Sequence, residues 1–276
     1  MTPIVALLTD FTWHNWYLGV MKGVIASVNP SATIIDLCHD ISSQDVREGS
    51  FVLGNSFPFF PRGTIFAAIV DPGVGSDRKN LIVKTERYTF VAPDNGILSS
   101  IFERAAVEKV YQVRPGRYTL SPKGSTFFGR DIFAPVAAHL SLGVPPEEMG
   151  GEVKSVLTVP AIKPYINERG EISGRAVYVD TFGNIITNIE GSYLQSFFRG
   201  NIPGEDVVVR LAGQLIRGIR TYYEQGEPGR LMAIVNSWGY LEIAINRGNA
   251  FQYLGLREKK SLEIFVSAPV PSPHQP

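Results

Sequence analysis

Hydrophobic positions in the first half of the chain alternate between two rhythms. Short apolar and β-branched runs at 4–8, 33–37 and 65–70 predict strands, and 81–92 holds two shorter β-like runs. Between them, residues 17–28, 42–57, 95–105 and 130–142 place apolar side chains at helical spacing, the last despite Pro135. Asn29-Pro30 stops the first helix, and Ser42 with Asp45 is spaced as a capping box for the second. Strands and helices in alternation predict an α/β domain with a mainly parallel sheet.

The rhythm changes after Pro145. Residues 153–170 mix Pro160, Pro164 and Gly170 with extended residues, as a linker does. Short β-like runs then dominate, at 175–180, 184–189, 206–211, 231–236, 240–246 and 261–267, with glycines at the turns. That pattern predicts an all-β, barrel-like module. The expected organisation is an α/β domain at 1–152, a linker at 153–170, a barrel-like domain at 171–268 and a frayed Pro-rich tail at 269–276.

A chain of 276 residues is long enough to bury a substantial core. Its 26 basic and 26 acidic residues cancel, which gives no overall electrostatic reason to expect a nucleic-acid partner. The single cysteine, Cys38, rules out an intrachain disulfide and a multi-cysteine metal site, and its apolar surroundings suit a core thiol. The start of the chain lacks a basic signal-peptide region, and no apolar stretch is long enough to span a bilayer. A soluble cytoplasmic protein without a membrane partner is expected. Walker, dinucleotide-binding and nucleophile-elbow motifs are absent, as are paired histidines at metal spacing, so no metal is expected.

Candidate chemistry gathers where strands end. The run 65–70 leads directly into Asp71-Pro72-Gly73, with Arg78 seven residues beyond Asp71. In open α/β sheets the carboxyl ends of strands are where ligands sit, although Asp-Pro-Gly is also an ordinary turn signal. Asp10 ends the first strand in the same way. It can accept both hydroxyls of a ribose or cap the next helix. Gly129 permits close approach of a ligand to the backbone, whereas Arg130 and Asp131 suit a salt bridge at a helix start. In the second module, Asp180 to Asn184 and Asn236 to Tyr240 sit at turns. Phe182 and Trp238 there offer flat faces to an adenine or a cation, or serve as core or interface aromatics.

Together these pieces resemble the S-adenosyl-L-methionine (SAM) hydrolases that form adenosine, also called SAM hydroxide adenosyltransferases, which are related to fluorinase and chlorinase. The matching residues are Leu8 to Phe11, Gly19 to Gly23, Asp45 to Gly49, Val70 to Gly75 with Arg78, and Ala92 to Gly96. Thr126-Phe127, Gly129 to Asp131, Asp180 with Phe182 to Asn184, and Asn236-Ser237 with Gly239 to Leu241 continue the match through both halves. The resemblance implies a homotrimer with each site between the N-terminal domain of one subunit and the C-terminal domain of the next. It implies SAM as substrate, no cofactor, and attack of water or hydroxide at C5′.

Carried over, Asp10 looks like the ribose acceptor, and Asp71 and Arg78 match two of three catalytic positions. Asp180 and Ser237 resemble positions that hold the methionine amino acid group. Asn184, Glu242, Ile245 and Asn246 align around the adenine, the last two through backbone. Phe128 stands where the hydrolases carry His and the halogenases tend to carry Tyr. Asn15 replaces a frequently acidic residue, and Trp238 occupies the place of a halogenase Arg. Two further readings stay open: a SAM- or adenosine-binding protein with little turnover, and a halide adenosyltransferase, which the retained Asp71 opposes.

Overall fold

The computed structural model describes residues 2–121, 126–200, 202, 204–258 and 262–268; the tail at 269–276 and Ser261 lie outside the described residues. The chain divides into two compact units, 1–161 and 162–276.

A seven-stranded mixed sheet forms the first unit. Its strands are β1 (Ile4–Thr9), β2 (Thr33–Cys38), β3 (Ile65–Ile69), β4 (Asn80–Thr85), β5 (Thr89–Pro93), β6 (Val107–Val113) and β7 (Gly150–Glu152). They lie in the order β2-β1-β3-β5-β4-β6-β7. Pairings among β2, β1, β3 and β5 are parallel, and those beyond β5 are antiparallel. The parallel strands are apolar on both faces because helices cover both. The helices are α1 (Trp16–Val28), α2 (Val46–Ser56), α3 (Ser99–Arg104) and α4 (Ala134–Ser141), with a single further turn at Pro146–Met149. Val5, Leu7, Met21, Ile25 and Phe133 build the core under α1 and α4. Leu8, Leu53, Phe66, Phe90 and Ile101 build the other, under α2 and α3.

β2 and β3 flank β1 on opposite sides. The winding direction therefore reverses between β1 and β3. Such a switch point opens a crevice beyond the carboxyl ends of its strands.

Local chemistry moves some boundaries. Asp45, rather than Ser42, caps α2, its carboxylate accepting the Glu48 N–H at 3.2 Å. Gln44, at φ +63°, keeps the chain out of a helix before that point. The helix expected over 130–142 opens with a π-helical turn, Gly129–Phe133, ahead of α4. β6 gave no clear signal because its exposed Glu108 and Lys109 interrupt the apolar run. Residues 153–160 have no regular structure and are tied to the first unit. Leu157 N–H donates to Asp94 Oδ1 at 2.7 Å, Val159 N–H to Ser99 Oγ at 2.8 Å, and Arg47 to the Pro160 carbonyl at 2.8 Å.

The second unit is a nine-stranded, nearly closed barrel-like sheet. Its strands are β8 (Tyr165–Ile166), β9 (Ile172–Val179), β10 (Ile185–Glu190), β11 (Val208–Leu211), β12 (Gln214–Arg217), β13 (Ile219–Arg220), β14 (Leu231–Val235), β15 (Tyr240–Ile245) and β16 (Glu263–Ser267). The path runs β12-β11-β16-β9-β10-β15-β14-β13, with β8 beside β9, and only β13–β14 is parallel. Ile172, Ile185, Ile189, Leu241, Ile243, Ile264 and Val266 fill its interior. No described helix in either unit is long and apolar enough to cross a membrane.

Candidate active site

Register delivers the first two carboxylates. Thr9 at the end of β1 pairs with Ile69 at the end of β3, which sets Asp10 and Asp71 at the same edge of the switch point. The Asp10 carboxylate accepts the Gln44 N–H at 2.8 Å. Beyond Asp71 the chain folds through successive turns, Val74 N–H to Asp71 O and Ser76 N–H to Gly73 O. Arg78 is thereby brought back onto Asp71. Its Nε donates to Oδ1 at 2.7 Å and its Nη2 to Oδ2, a bidentate pair whose side chains are 9% and 5% exposed for Arg78 and Asp71.

The surroundings hold that pair rigid. Arg78 Nη1 donates to the Lys79 carbonyl at 3.1 Å and to Asn80 Oδ1 at 2.6 Å. The Asn95 amide donates to the Val70 carbonyl at 2.8 Å and so braces the end of β3. The Phe128 and Phe133 rings lie 5.5 and 5.7 Å from the Arg78 guanidinium carbon. Burial raises the Asp71 carboxyl above its ordinary value; the Arg78 bonds oppose that rise and the charge of Asp10 adds to it. The result is a nearly dry carboxylate with a fixed cationic partner and a second carboxylate nearby.

Gly129 is also tightly packed: a Cβ there would sit 3.0 Å from both Met21 Sδ and Phe127. Arg130 and Asp131 form the expected helix-start ion pair at 2.7 Å, with Asp131 buried.

The remaining predicted residues lie in the second unit. Asp180 closes the turn before β10, its Oδ1 accepting the N–H groups of Phe182 at 3.0 Å and Asn184 at 2.8 Å, its Oδ2 the Asn184 amide at 3.0 Å. Gly183 in that turn has φ +84°, and a Cβ would strike Asn249 at 2.0 Å, so only glycine fits. Glu242, buried on β15, accepts from the Tyr223 hydroxyl at 2.8 Å and the Asn236 amide at 3.0 Å. Burial raises its carboxyl, and Asp180 is close enough for its charge to add to the rise. Ser237 and Trp238 are exposed in the β14–β15 turn, and Phe182 is exposed in its own. Ile245 is buried at the far end of β15, while the carbonyls of Ile245 and Asn246 accept N–H groups from Gly248 and Gly229.

Each unit thus carries its own set. Sequence reasoning missed Asn80 and Phe133 around Arg78, Gln44 on Asp10, and Tyr223 and Asn236 on Glu242. Asn236-Ser237 had stood out as a motif, but the amide's partner six residues on was not visible in it. Among the described residues no group of three or more His, Cys, Asp or Glu could hold a metal ion.

The chain therefore joins an α/β unit with a carboxylate–guanidinium pair at its switch point to a barrel-like unit with a buried glutamate. Models of the SAM hydroxide adenosyltransferase N-terminal and C-terminal domains match residues 5–150 and 174–263, and the chain belongs to this family. It is similar to "(R)-S-adenosyl-L-methionine hydrolase" of Thermus thermophilus, with 35% identity covering 94% of this chain and 97% of that one. The protein of the same name from Methanocaldococcus jannaschii is 30% identical, covering 95% of each. A "Fluorinase" from Actinopolyspora mzabensis is 26% identical, covering 95% of this chain and 97% of that one. A crystal structure of an uncharacterized conserved protein from Thermotoga maritima superposes with a TM-score of 0.85 at 36% identity, covering 95% of this chain and 99% of that one.

Proposed function

We propose that this protein hydrolyses SAM to adenosine and L-methionine. The observation that carries the reading is the nearly buried Asp71–Arg78 pair beside Asp10 at the switch point. Relatives at 35% and 30% identity bear the name of SAM hydrolases, which supports the same choice of substrate.

In this reading Asp10 accepts the ribose diol. Asp180 and Ser237 hold the methionine amino acid group. Asn184, Phe182, Trp238, Glu242 and the backbone at Ile245 and Asn246 surround the adenine. Assembly into a homotrimer brings the first unit of one subunit to the second unit of the next around one substrate. The enzyme works in the cytoplasm and takes no cofactor, since SAM and water supply every atom of the products.

The oxygen of water forms its bond to C5′ as the C5′–S bond breaks, and the bonding pair goes to sulfur as a neutral thioether leaves. The water's proton passes to Asp71 and then to solvent. Among the described residues, four of the five guanidinium N–H groups of Arg78 are engaged within the protein, which leaves one Nη2–H to polarise the water. Attack by an oxygen gaining negative character on a sulfonium destroys charge, and a dry pocket favours that step. Phe128 carries no proton. It covers the guanidinium and leaves Asp71 as the proton acceptor. An ionised Asp71 beside the nucleophile would repel a halide, so the halide reading is not favoured.

Incubation with SAM in ¹⁸O-water, followed by chromatography and mass spectrometry, tests this. Adenosine labelled at its 5′ oxygen is expected. No adenosine above the protein-free blank, or unlabelled adenosine, overturns it.

A further inference from the structure

One chain of hydrogen bonds in the first unit lies outside the residues assigned above. Lys22 Nζ, on α1, donates to Asp36 Oδ2 at 2.7 Å. Asp36 Oδ1 is 3.0 Å from His39 Nε2, and His39 Nδ1 is 2.9 Å from Thr9 Oγ1. Thr9 Oγ1 in turn accepts the Phe11 N–H at 3.2 Å. His39 and Thr9 are fully buried, and Trp13 packs edge-on against the imidazole at 5.0 Å.

Chemistry fixes the direction of every bond. Burial pushes the Asp36 carboxyl up, but the Lys22 and His39 bonds outweigh it and keep the group ionised, so it only accepts. His39 therefore places its ring proton on Nε2, and burial keeps it neutral. Nδ1 then accepts from the Thr9 hydroxyl, whose lone pair takes the Phe11 amide. The His39 carbonyl also accepts the Thr12 N–H at 2.8 Å, and Thr12 is held at φ +58°. Both neighbours of Asp10 are thus tied, through one buried imidazole, to the carboxyl end of β2.

We propose that His39, acting through Thr9, is a positioning residue for Asp10, holding residues 9–12 so that the carboxylate meets a ribose cis-diol. The inference rests on the ribose role given to Asp10 above. The test compares calorimetric affinities for adenosine and for 2′,3′-dideoxyadenosine, which lacks both hydroxyls. The parent is expected to prefer adenosine. Thr9→Val keeps the shape and removes the hydroxyl; it should lose about tenfold in adenosine affinity and leave dideoxyadenosine unchanged. Thr9→Ser should restore the preference. A merely structural role would weaken both ligands alike, and that result, or an unaltered preference, overturns the proposal. If thermal melting shows Thr9→Val unfolded, Lys22→Met at the solvent end of the chain reads the same preference, which should fall; an unaltered one again overturns the proposal. A parent that binds both ligands equally refutes the ribose role of Asp10 itself, and the positioning role falls with it.

Discussion

Asp71 and Glu242 are both carboxylates held away from water, and burial raises both. Their partners differ in kind. Asp71, at the rim of a parallel sheet, faces the guanidinium of Arg78 through two bonds. Glu242, in a barrel strand, is met by a phenol and an amide, both neutral. A charged partner polarises and fixes a group that must exchange a proton during reaction. Neutral donors satisfy a carboxylate and aim it without committing a counter-charge, which suits recognition of a neutral base. On the proposed function, the first unit supplies the chemistry and the second reads the base.

Removing the charge of Asp71 tests that division most severely. Asp71→Asn preserves volume and abolishes proton acceptance, so kcat should fall by about 10²–10⁴-fold. Adenosine affinity should stay within about threefold, because uniform binding is not what the charge supplies. Steady-state kinetics with SAM, set beside calorimetry with adenosine, measures both. A kcat within tenfold of the parent would remove Asp71 from the chemical step.

Phe128→His sharpens the same side of the comparison. The ring at this position lies 5.5 Å from the Arg78 guanidinium carbon, where an imidazole could relay the proton that Phe128 cannot. The rate should rise by about tenfold or more. The pH profile should change as well. In the parent, kcat/KM should gain on an acid limb set by Asp71, which burial moves above the ordinary carboxylate range, as ionisation creates the acceptor. In the variant a second ionisation should enter near the ordinary histidine value of about 6.5. An unchanged rate and a single limb would mean that the imidazole is not what this chain lacks.

How far the residues announced this arrangement depends on the range of the interaction. Asp10 and Asp71 were legible because each follows an apolar strand directly, and strand ends in an α/β sheet share an edge. The Asp71–Arg78 pair spans seven residues across one turn, close enough to suspect. Tyr223 and Glu242 lie nineteen apart and meet only after β14 and β15 pair, so no local pattern marks them. Asn80 and Phe133 are ordinary residues until Arg78 folds between them. Strand sense was equally hidden: an apolar run such as that of β4 reads the same in parallel and antiparallel pairings. β12 and β13, short and half polar, fell below what periodicity detects.

Glu242→Gln probes the reading side, where effects should be smallest. The side chain keeps its volume and one accepting oxygen, but its new amide faces either the Tyr223 hydroxyl or the Asn236 amide, so one donor loses its acceptor. KM for SAM should rise by roughly three- to tenfold, with kcat nearly unchanged. Stability supplies an independent check with a definite sign. The folded state holds the proton of Glu242 more tightly than the unfolded chain does, so this residue favours folding below its ordinary carboxyl value, and the benefit disappears as pH rises through the elevated folded value. Gln cannot titrate. The melting temperature of the parent minus that of the variant should therefore decline as pH is raised from about 4 towards neutrality. A difference that stays flat, or climbs, would show Glu242 to be at least as readily ionised in the fold as outside it, and the contrast with Asp71 would then rest on their partners alone.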